Sequence, residues 1–232
     1  MQLHNMNIQT FILIFSLALL SACNSVAVKN QKFQIKNHAF LKANKSTTAV
    51  ILCHGRGKHP RWLVVDPLRK AIHQQLNYHT LSLQMPKDDI PWKDYQYLFP
   101  EAFQTIKNSI QYLKTEHQVK KIILIGHSMG SRMGSAFLSA NPESHLDGFI
   151  GIGMRNNGEH PLDARQNLTA VKIPVLDLFG NGGTRKDANH AKARKSLISK
   201  TYQQVMIENA NHKFTRHEKE MIDAAITWLK KR

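Results

Sequence analysis

Ser128 stands at the centre of Gly126-His127-Ser128-Met129-Gly130, a G-x-S-x-G sequence. A serine hydroxyl is a weak nucleophile at neutral pH. It needs a base to take its proton and a backbone turn that exposes it. The flanking residues predict such a turn. Ile122-Ile123-Leu124-Ile125 is a short β-branched apolar run, the signature of a strand buried on both faces. Residues 131–140 are rich in Met, Ala, Phe and Leu and predict a helix. Strand, tight turn and helix are the setting in which a serine at the apex acts as a nucleophile. Gly126, Gly130 and Gly134 leave room where helix and strand pass close together. The same turn sets the hydroxyl at a helix N-terminus, where backbone N–H groups face developing negative charge.

The elements that must hold this unit follow in order. Residues 49–53 form a second buried apolar run, leading into His54-Gly55-Arg56-Gly57. Asp66-Pro67 reads as an N-cap with proline at the first helical position, and Leu68, Ala71, Ile72 and Leu76 recur at helical spacing. Residues 78–83 predict a strand. Trp92, Tyr95 and Tyr97 lie in a polar loop and are expected to pack on the domain surface. Phe103, Ile106, Ile110 and Leu113 mark an amphipathic helix. Beyond the serine, strands are expected at 149–152, 175–179 and 202–207, with helices at 188–198 and 221–229. Residues 155–172 form a polar excursion too short for a lid domain. Strands alternating with helices predict an α/β architecture, a mostly parallel sheet with helices on both faces.

Chain length and composition fit one domain, with 232 residues, 42% hydrophobic and 21% charged. Residues 1–22 contain no Lys, Arg, Asp or Glu, and Phe11 to Leu20 is apolar except for Ser16. That run is the length of a signal-peptide core and too short to span a bilayer. Leu20-Ser21-Ala22-Cys23 resembles a bacterial lipobox, which implies cleavage before Cys23 and lipidation of that residue. The expected organisation is therefore a signal peptide at 1–22, a lipidated tether at 23–46 with a possible edge strand at 33–35, and a domain at 47–232. It places the protein on the periplasmic face of a bacterial envelope membrane. Cys53, the other cysteine, sits in an apolar run and reads as a small core residue.

The order of these features resembles the α/β-hydrolase fold, in a small and nearly lidless form similar to dienelactone-hydrolase-like serine hydrolases, over residues 47–232. The resemblance implies that Ser128 is the nucleophile. It implies that His212, in the turn between the last strand and the closing helix, is the base. His54-Gly55-Arg56-Gly57 matches the family's oxyanion loop, so the backbone N–H groups of Arg56 and Met129 are expected to hold the oxyanion. His54, Gly55, His127 and Arg155 are the expected substrate contacts. The sequence departs from the pattern at the acid, because the usual aspartate position falls on Gly183. Asp187, later in the same loop, is the first substitute. Asp177, within the strand, is the alternative and serves only if its side chain faces the mouth. The implied activity is hydrolysis of an acyl bond, carboxylesterase-like, without a cofactor. The rival is a non-catalytic binding module on the same fold.

No metal site is read from the sequence, since H-E-x-x-H is missing and His212 and His217 are five apart. The formal net charge is +16. An exported protein without a recognition motif is not expected to bind nucleic acid. The strand-following loops carry Arg56, Lys58, Arg61, Arg155, Arg185, Lys186, Lys213 and Arg216, a cationic rim that favours a small anionic acyl substrate.

Overall fold

A computed structural model describes residues 33–197 and 200–232. The expected signal peptide, Cys23 and the first part of the tether lie outside the described residues.

Why the buried runs become strands shows in how their residues are shared out. In β2 (Thr48–Cys53), Ala49, Ile51 and Cys53 enter one apolar cluster while Val50 and Leu52 enter another. In β4 (Lys121–His127), Ile122 and Leu124 face the first cluster and Ile123 and Ile125 the second. A period of two thus splits a continuous apolar run between two cores, one on each face of the sheet. With β1 (Ala39–Leu41), β3 (His79–Leu83), β5 (Gly148–Ile152), β6 (Val175–Gly180) and β7 (Tyr202–Ile207), the strands form a seven-stranded sheet in the order β1-β3-β2-β4-β5-β6-β7. Only β1 runs antiparallel to its neighbour.

The helices cover both faces. α1 (Val65–Leu76) and α6 (Glu218–Leu229) supply Leu68, Ile72, Met221 and Ala225 to one core. α2 (Phe99–His117) and α3 (Met129–Ala140) supply Ile106, Leu113, Met133 and Phe137 to the other. Each of these Leu, Ile, Met and Phe side chains, fully buried, is worth about 1.5–3 kcal/mol. α4 (Ala164–Leu168) lies within the polar excursion, capped by Asp163, whose Oδ1 accepts from the N–H groups of Arg165 and Gln166. α5 (Lys186–Ala193) is shorter than the sequence suggested and ends in a 3₁₀ turn.

Three local expectations are corrected. The edge strand is Ala39–Leu41, not 33–35, and Ile35–Asn37 is a 3₁₀ turn. Residues Phe33–Arg232 form one compact unit. Asp66 is not the cap of α1 but lies in its first turn, where its carboxylate holds Arg69 and Lys70 at 2.7 Å each. Of the loop aromatics, Tyr95 is buried and Trp92 packs against the core, but Tyr97 is exposed.

Asp177 resolves as a structural residue. It is buried in β6, and it accepts from Arg194 Nε at 2.9 Å, Arg194 Nη2 at 2.8 Å, Tyr202 Oη at 2.6 Å and Gln204 Nε2 at 3.0 Å. Arg194 is equally buried and also donates to the Met154 carbonyl and to Asn156 Oδ1. Its carboxylate is consumed by this network, so it does not face the mouth of the sheet. Removing one partner of a buried pair strands the other charge. Asp177→Asn is accordingly expected to cost about 3–5 kcal/mol of unfolding free energy in urea titrations. A loss under about 1 kcal/mol, the size of a surface pair, would contradict the network's role.

Candidate active site

Ser128 sits between β4 and α3 with φ 55° and ψ −116°, a region that a residue with a side chain enters only under strain of about 1–3 kcal/mol. Its surroundings fix it there. The Ser128 N–H donates to the Ile152 carbonyl at 2.9 Å, and its own carbonyl accepts from the N–H and hydroxyl of Ser131. The turn also demands glycine at two places. A Cβ on Gly126 would lie 2.5 Å from the Gly130 carbonyl oxygen, and one on Gly130 would lie 2.6 Å from the Cys53 carbonyl carbon.

His212 follows β7 and brings its ring to the serine. His212 Nε2 lies 2.9 Å from Ser128 Oγ, and His212 Nδ1 lies 2.6 Å from Asp187 Oδ2. The ionised carboxylate accepts, so Nδ1 carries the proton and Nε2 presents its lone pair to the serine hydroxyl. Asp187, in the first turn of α5, is 4% exposed, and its second oxygen accepts from Arg155 Nε at 3.1 Å. Burial alone would raise its pKa, but the hydrogen bond and charge of His212, with those of Arg155, outweigh it and hold the carboxyl below its ordinary value. The loop between Gly180 and α5 supplies the reach that Gly183 lacks. Gly153, just past β5, leaves the space for this pair: with φ 58°, a Cβ there would stand 3.0 Å from His212 Nδ1 and 3.2 Å from Asp187 Oδ2.

The residues of the expected oxyanion loop lie beside the serine. Gly55, Arg56 and Met129 line the same cleft as Ser128 and His212, and a Cβ on Gly55 would come 3.2 Å from Ser128 Cβ. Met129 opens α3, so its N–H has no acceptor within the helix.

Of the expected substrate contacts, His54 lies outside the cleft, while His127 and Arg155 line it and hold further partners. His54 does not line the cleft. Its buried ring accepts from the Met85 N–H at 3.0 Å through Nε2 and donates to the Gly55 carbonyl at 2.8 Å through Nδ1, so it braces the oxyanion loop. Burial pushes its pKa down to about 4, which keeps it neutral. His127 does line the cleft, yet its Nε2 donates to the His212 carbonyl at 2.9 Å and its ring lies 5.0 Å from that of His212. Burial likewise pushes it down to about 4. Arg155 lines the cleft as expected, but its Nε is committed to Asp187.

The cleft measures about 270 Å³. Arg132, Asn157, Trp62 and Trp92 also line it, and none was singled out from the sequence as a site residue. Arg132 was accessible to sequence reasoning, since it lies one helical turn beyond Ser128. Asn157 lies in an excursion with no periodic signal. Among the described residues, no cluster of three or more His, Cys, Asp or Glu is arranged to hold a metal.

A family model described as a protein of unknown function (DUF3530) matches residues 99–231, a span that includes Ser128, Asp187 and His212. The chain belongs to the DUF3530 family. No curated protein matches the sequence. Among solved structures, it resembles Est1E from Butyrivibrio proteoclasticus with a TM-score of 0.68 at 13% identity, over 84% of this chain and 93% of that one. An α/β serine hydrolase homologue from Coxiella burnetii gives 0.65 at 17% identity, over 83% and 90%. XC6422 from Xanthomonas campestris, described as an α/β serine hydrolase without a lid, gives 0.61 at 14% identity, over 81% and 84%. At these identities the likeness shows the fold: the DUF3530 chain has the α/β-hydrolase fold.

The two bracing histidines set a pH dependence of stability. Both are held near 4 in the folded state against about 6.5 when unfolded. The unfolded chain therefore binds more protons between these values, and stability is complete above about pH 6.5 and is lost as pH falls toward 4, by up to about 1.4 kcal/mol per pH unit for each histidine. Urea unfolding at pH 7, 5.5 and 4.5 measures this, and His54→Gln removes one histidine's share of the slope. Stability that stays level across that window would show that the rings are not buried as neutral braces.

Proposed function

We propose that this protein is a serine hydrolase of acyl bonds, most simply a carboxylic ester hydrolase. The observation that carries the reading is the unbroken hydrogen-bonded chain from Asp187 through His212 to Ser128, opening on a cleft that Arg56 and Met129 also line. Ser128 Oγ attacks the acyl carbon as His212 Nε2 takes its proton, and the carbonyl π electrons move onto the oxygen. The Met129 and Arg56 N–H groups hold that oxyanion, and loss of one such donor in related chemistry costs about 2.7–4 kcal/mol. The tetrahedral species collapses, His212 returns the proton to the leaving alkoxide, and an ester to Ser128 remains. Water, deprotonated by the same imidazole, then releases the acid and restores the serine. Asp187 steadies the imidazolium that forms twice in the cycle.

The neighbouring structures described as an α/β serine hydrolase homologue and as lipolytic enzymes support this class. The rival reading, a binding module without catalysis, drew on the lack of an aspartate at Gly183; Asp187 supplies a carboxylate to the same histidine. We further propose that the mature protein begins at a lipidated Cys23 and works at the periplasmic face of an envelope membrane, on a small acyl substrate rather than on nucleic acid.

Ser128→Ala is expected to abolish labelling by a fluorophosphonate probe while leaving the melting temperature nearly unchanged. Persistent labelling of the variant would remove Ser128 from the mechanism. Asp187→Asn should lower kcat/KM on a short-chain nitrophenyl ester by about 2–5 kcal/mol of transition-state stabilisation. For the anchor, mass spectrometry of the membrane-extracted protein should find a diacylglyceryl Cys23, and Cys23→Ser should shift the protein to the soluble fraction or leave an uncleaved precursor. An unmodified mature N-terminus in the wild type would end the lipoprotein proposal.

A further inference from the structure

Small-molecule clefts are usually apolar with a few polar groups. This one is lined by Arg56, Lys58, Arg132, Arg155 and Lys213, and no Asp or Glu is among its lining residues. Three of the cations are held in place rather than waving in solvent. Lys58 Nζ lies 4.2 Å from the Trp62 ring centroid, the Arg56 guanidinium lies 5.9 Å from that of Tyr95, and the Arg132 guanidinium lies 5.2 Å from that of Trp92.

Arg132 is the most constrained. It is 4% exposed, one turn of α3 beyond Ser128, and its Nη1 donates to the Asn157 carbonyl at 2.9 Å while its Nη2 donates to Asn157 Oδ1. Both acceptors are neutral, so the guanidinium has a hydrogen-bonded brace and no counter-ion in contact. Burial, with the positive charge of Arg155 next, pushes its pKa down to about 10, so it stays charged at neutral pH. Asp163 acts on it from a distance, its Oδ1 engaged as the cap of α4. A buried cation without a paired carboxylate, opening on a cleft, is a fixed anion receptor.

Resting on the serine-hydrolase reading, we propose that the substrate carries a second, ionised acid group besides the scissile acyl bond, and that Arg132 binds it. Arg132 and Ser128 line one cleft, so that acid and the carbonyl that Ser128 attacks belong to one bound molecule. Arg56, Lys58 and Lys213 at the mouth draw the anion in. Arg155 spends its Nε on Asp187 and also lines the same cleft.

The test compares esters that differ in charge. On the leaving-group side, methyl para-acetoxybenzoate is set against para-acetoxybenzoate and para-acetoxyphenyl phosphate. On the acyl side, para-nitrophenyl butyrate is set against the para-nitrophenyl monoester of succinic acid. Each kcat/KM is divided by the ester's own hydroxide-catalysed rate. In at least one comparison the anionic ester is expected to be preferred by about tenfold or more at low ionic strength, with the advantage shrinking in added salt. The arm with the larger ratio identifies the group as carboxylate or phosphate. Arg132→Gln, or Arg132→Met where the glutamine variant does not fold, should bring the ratio toward one. Because the readout is a ratio, a general loss of activity cancels. Wild-type ratios at or below one in every comparison, or ratios that a folded Arg132 variant leaves intact, overturn the proposal. If Ser128 is labelled by fluorophosphonate yet no anionic ester is preferred, this inference fails and the hydrolase reading stands. If nothing is labelled or turned over, the hydrolase reading fails. Titration with benzoate and inorganic phosphate, followed by the fluorescence of Trp62 and Trp92, then decides anion binding. Saturable quenching lost in the Arg132 variant supports it, and no quenching overturns it.

Discussion

The closeness of β4 and α3 at Ser128 is the constraint on which the site depends. The carbonyls of Cys53 and Gly130 occupy the volume that side chains at Gly130 and Gly126 would need. With glycine at both, the helix starts immediately, and the serine is forced into its positive-φ conformation at the strand end. Because β4 is hydrogen-bonded on both sides, to β2 and β5, the hydroxyl is fixed relative to the whole sheet. The other cleft residues come from the same end of that sheet: Gly55 and Arg56 follow β2, Asp187 follows β6 and His212 follows β7. Parallel strands bring these loops to one end by construction, and short connections keep them there.

Loops need braces, and this molecule uses neutral histidines for two of them. His54 ties the oxyanion loop to the residues after β3, and His127 ties the nucleophile's own turn to the His212 backbone. A buried charged side chain in either place would have required a buried counter-ion; an imidazole offers one donor and one acceptor at no charge. Behind them, Asp177 and Arg194 make the opposite choice. Their side chains pair at 2.8 Å, and Tyr202, Gln204, Asn156 and the Met154 carbonyl complete the hydrogen bonding. That network fixes the segment from Met154 to Asn156, which carries Arg155 to Asp187.

The fold was legible because its signals are local. Apolar runs at 49–53 and 122–125, the i, i+3, i+7 spacing in α2, and the glycines around Ser128 each act within a few residues of themselves. Asp187 could be chosen over Asp177 on the same footing, since a side chain mid-strand alternates into a covered face, whereas a loop carboxylate has reach. What failed was long-range. Whether His54 faces substrate or Met85 depends on a chain segment 31 residues away. Gly153 reads as an ordinary turn glycine until His212, far along the chain, is packed against it. The edge strand was misplaced because three residues carry too little pattern, and β1 is defined by its register against β3 rather than by its own sequence.

The basic composition illustrates the same division between quantity and place. A net charge of +16 says that the molecule attracts anions, but exposed charges more than about 8 Å apart are screened from one another at physiological salt. Most of the lysines therefore act on the surroundings as a diffuse field, and that field cannot choose among substrates. A guanidinium withdrawn from solvent is screened far less, and its geometry is fixed, so it can discriminate. Arg132 meets both conditions, with Trp92 against its face and Asn157 across its nitrogens. The overall charge raises the local concentration of acids around the protein, whereas on our proposal the selection among them falls to Arg132, whose helix is capped by Ser128.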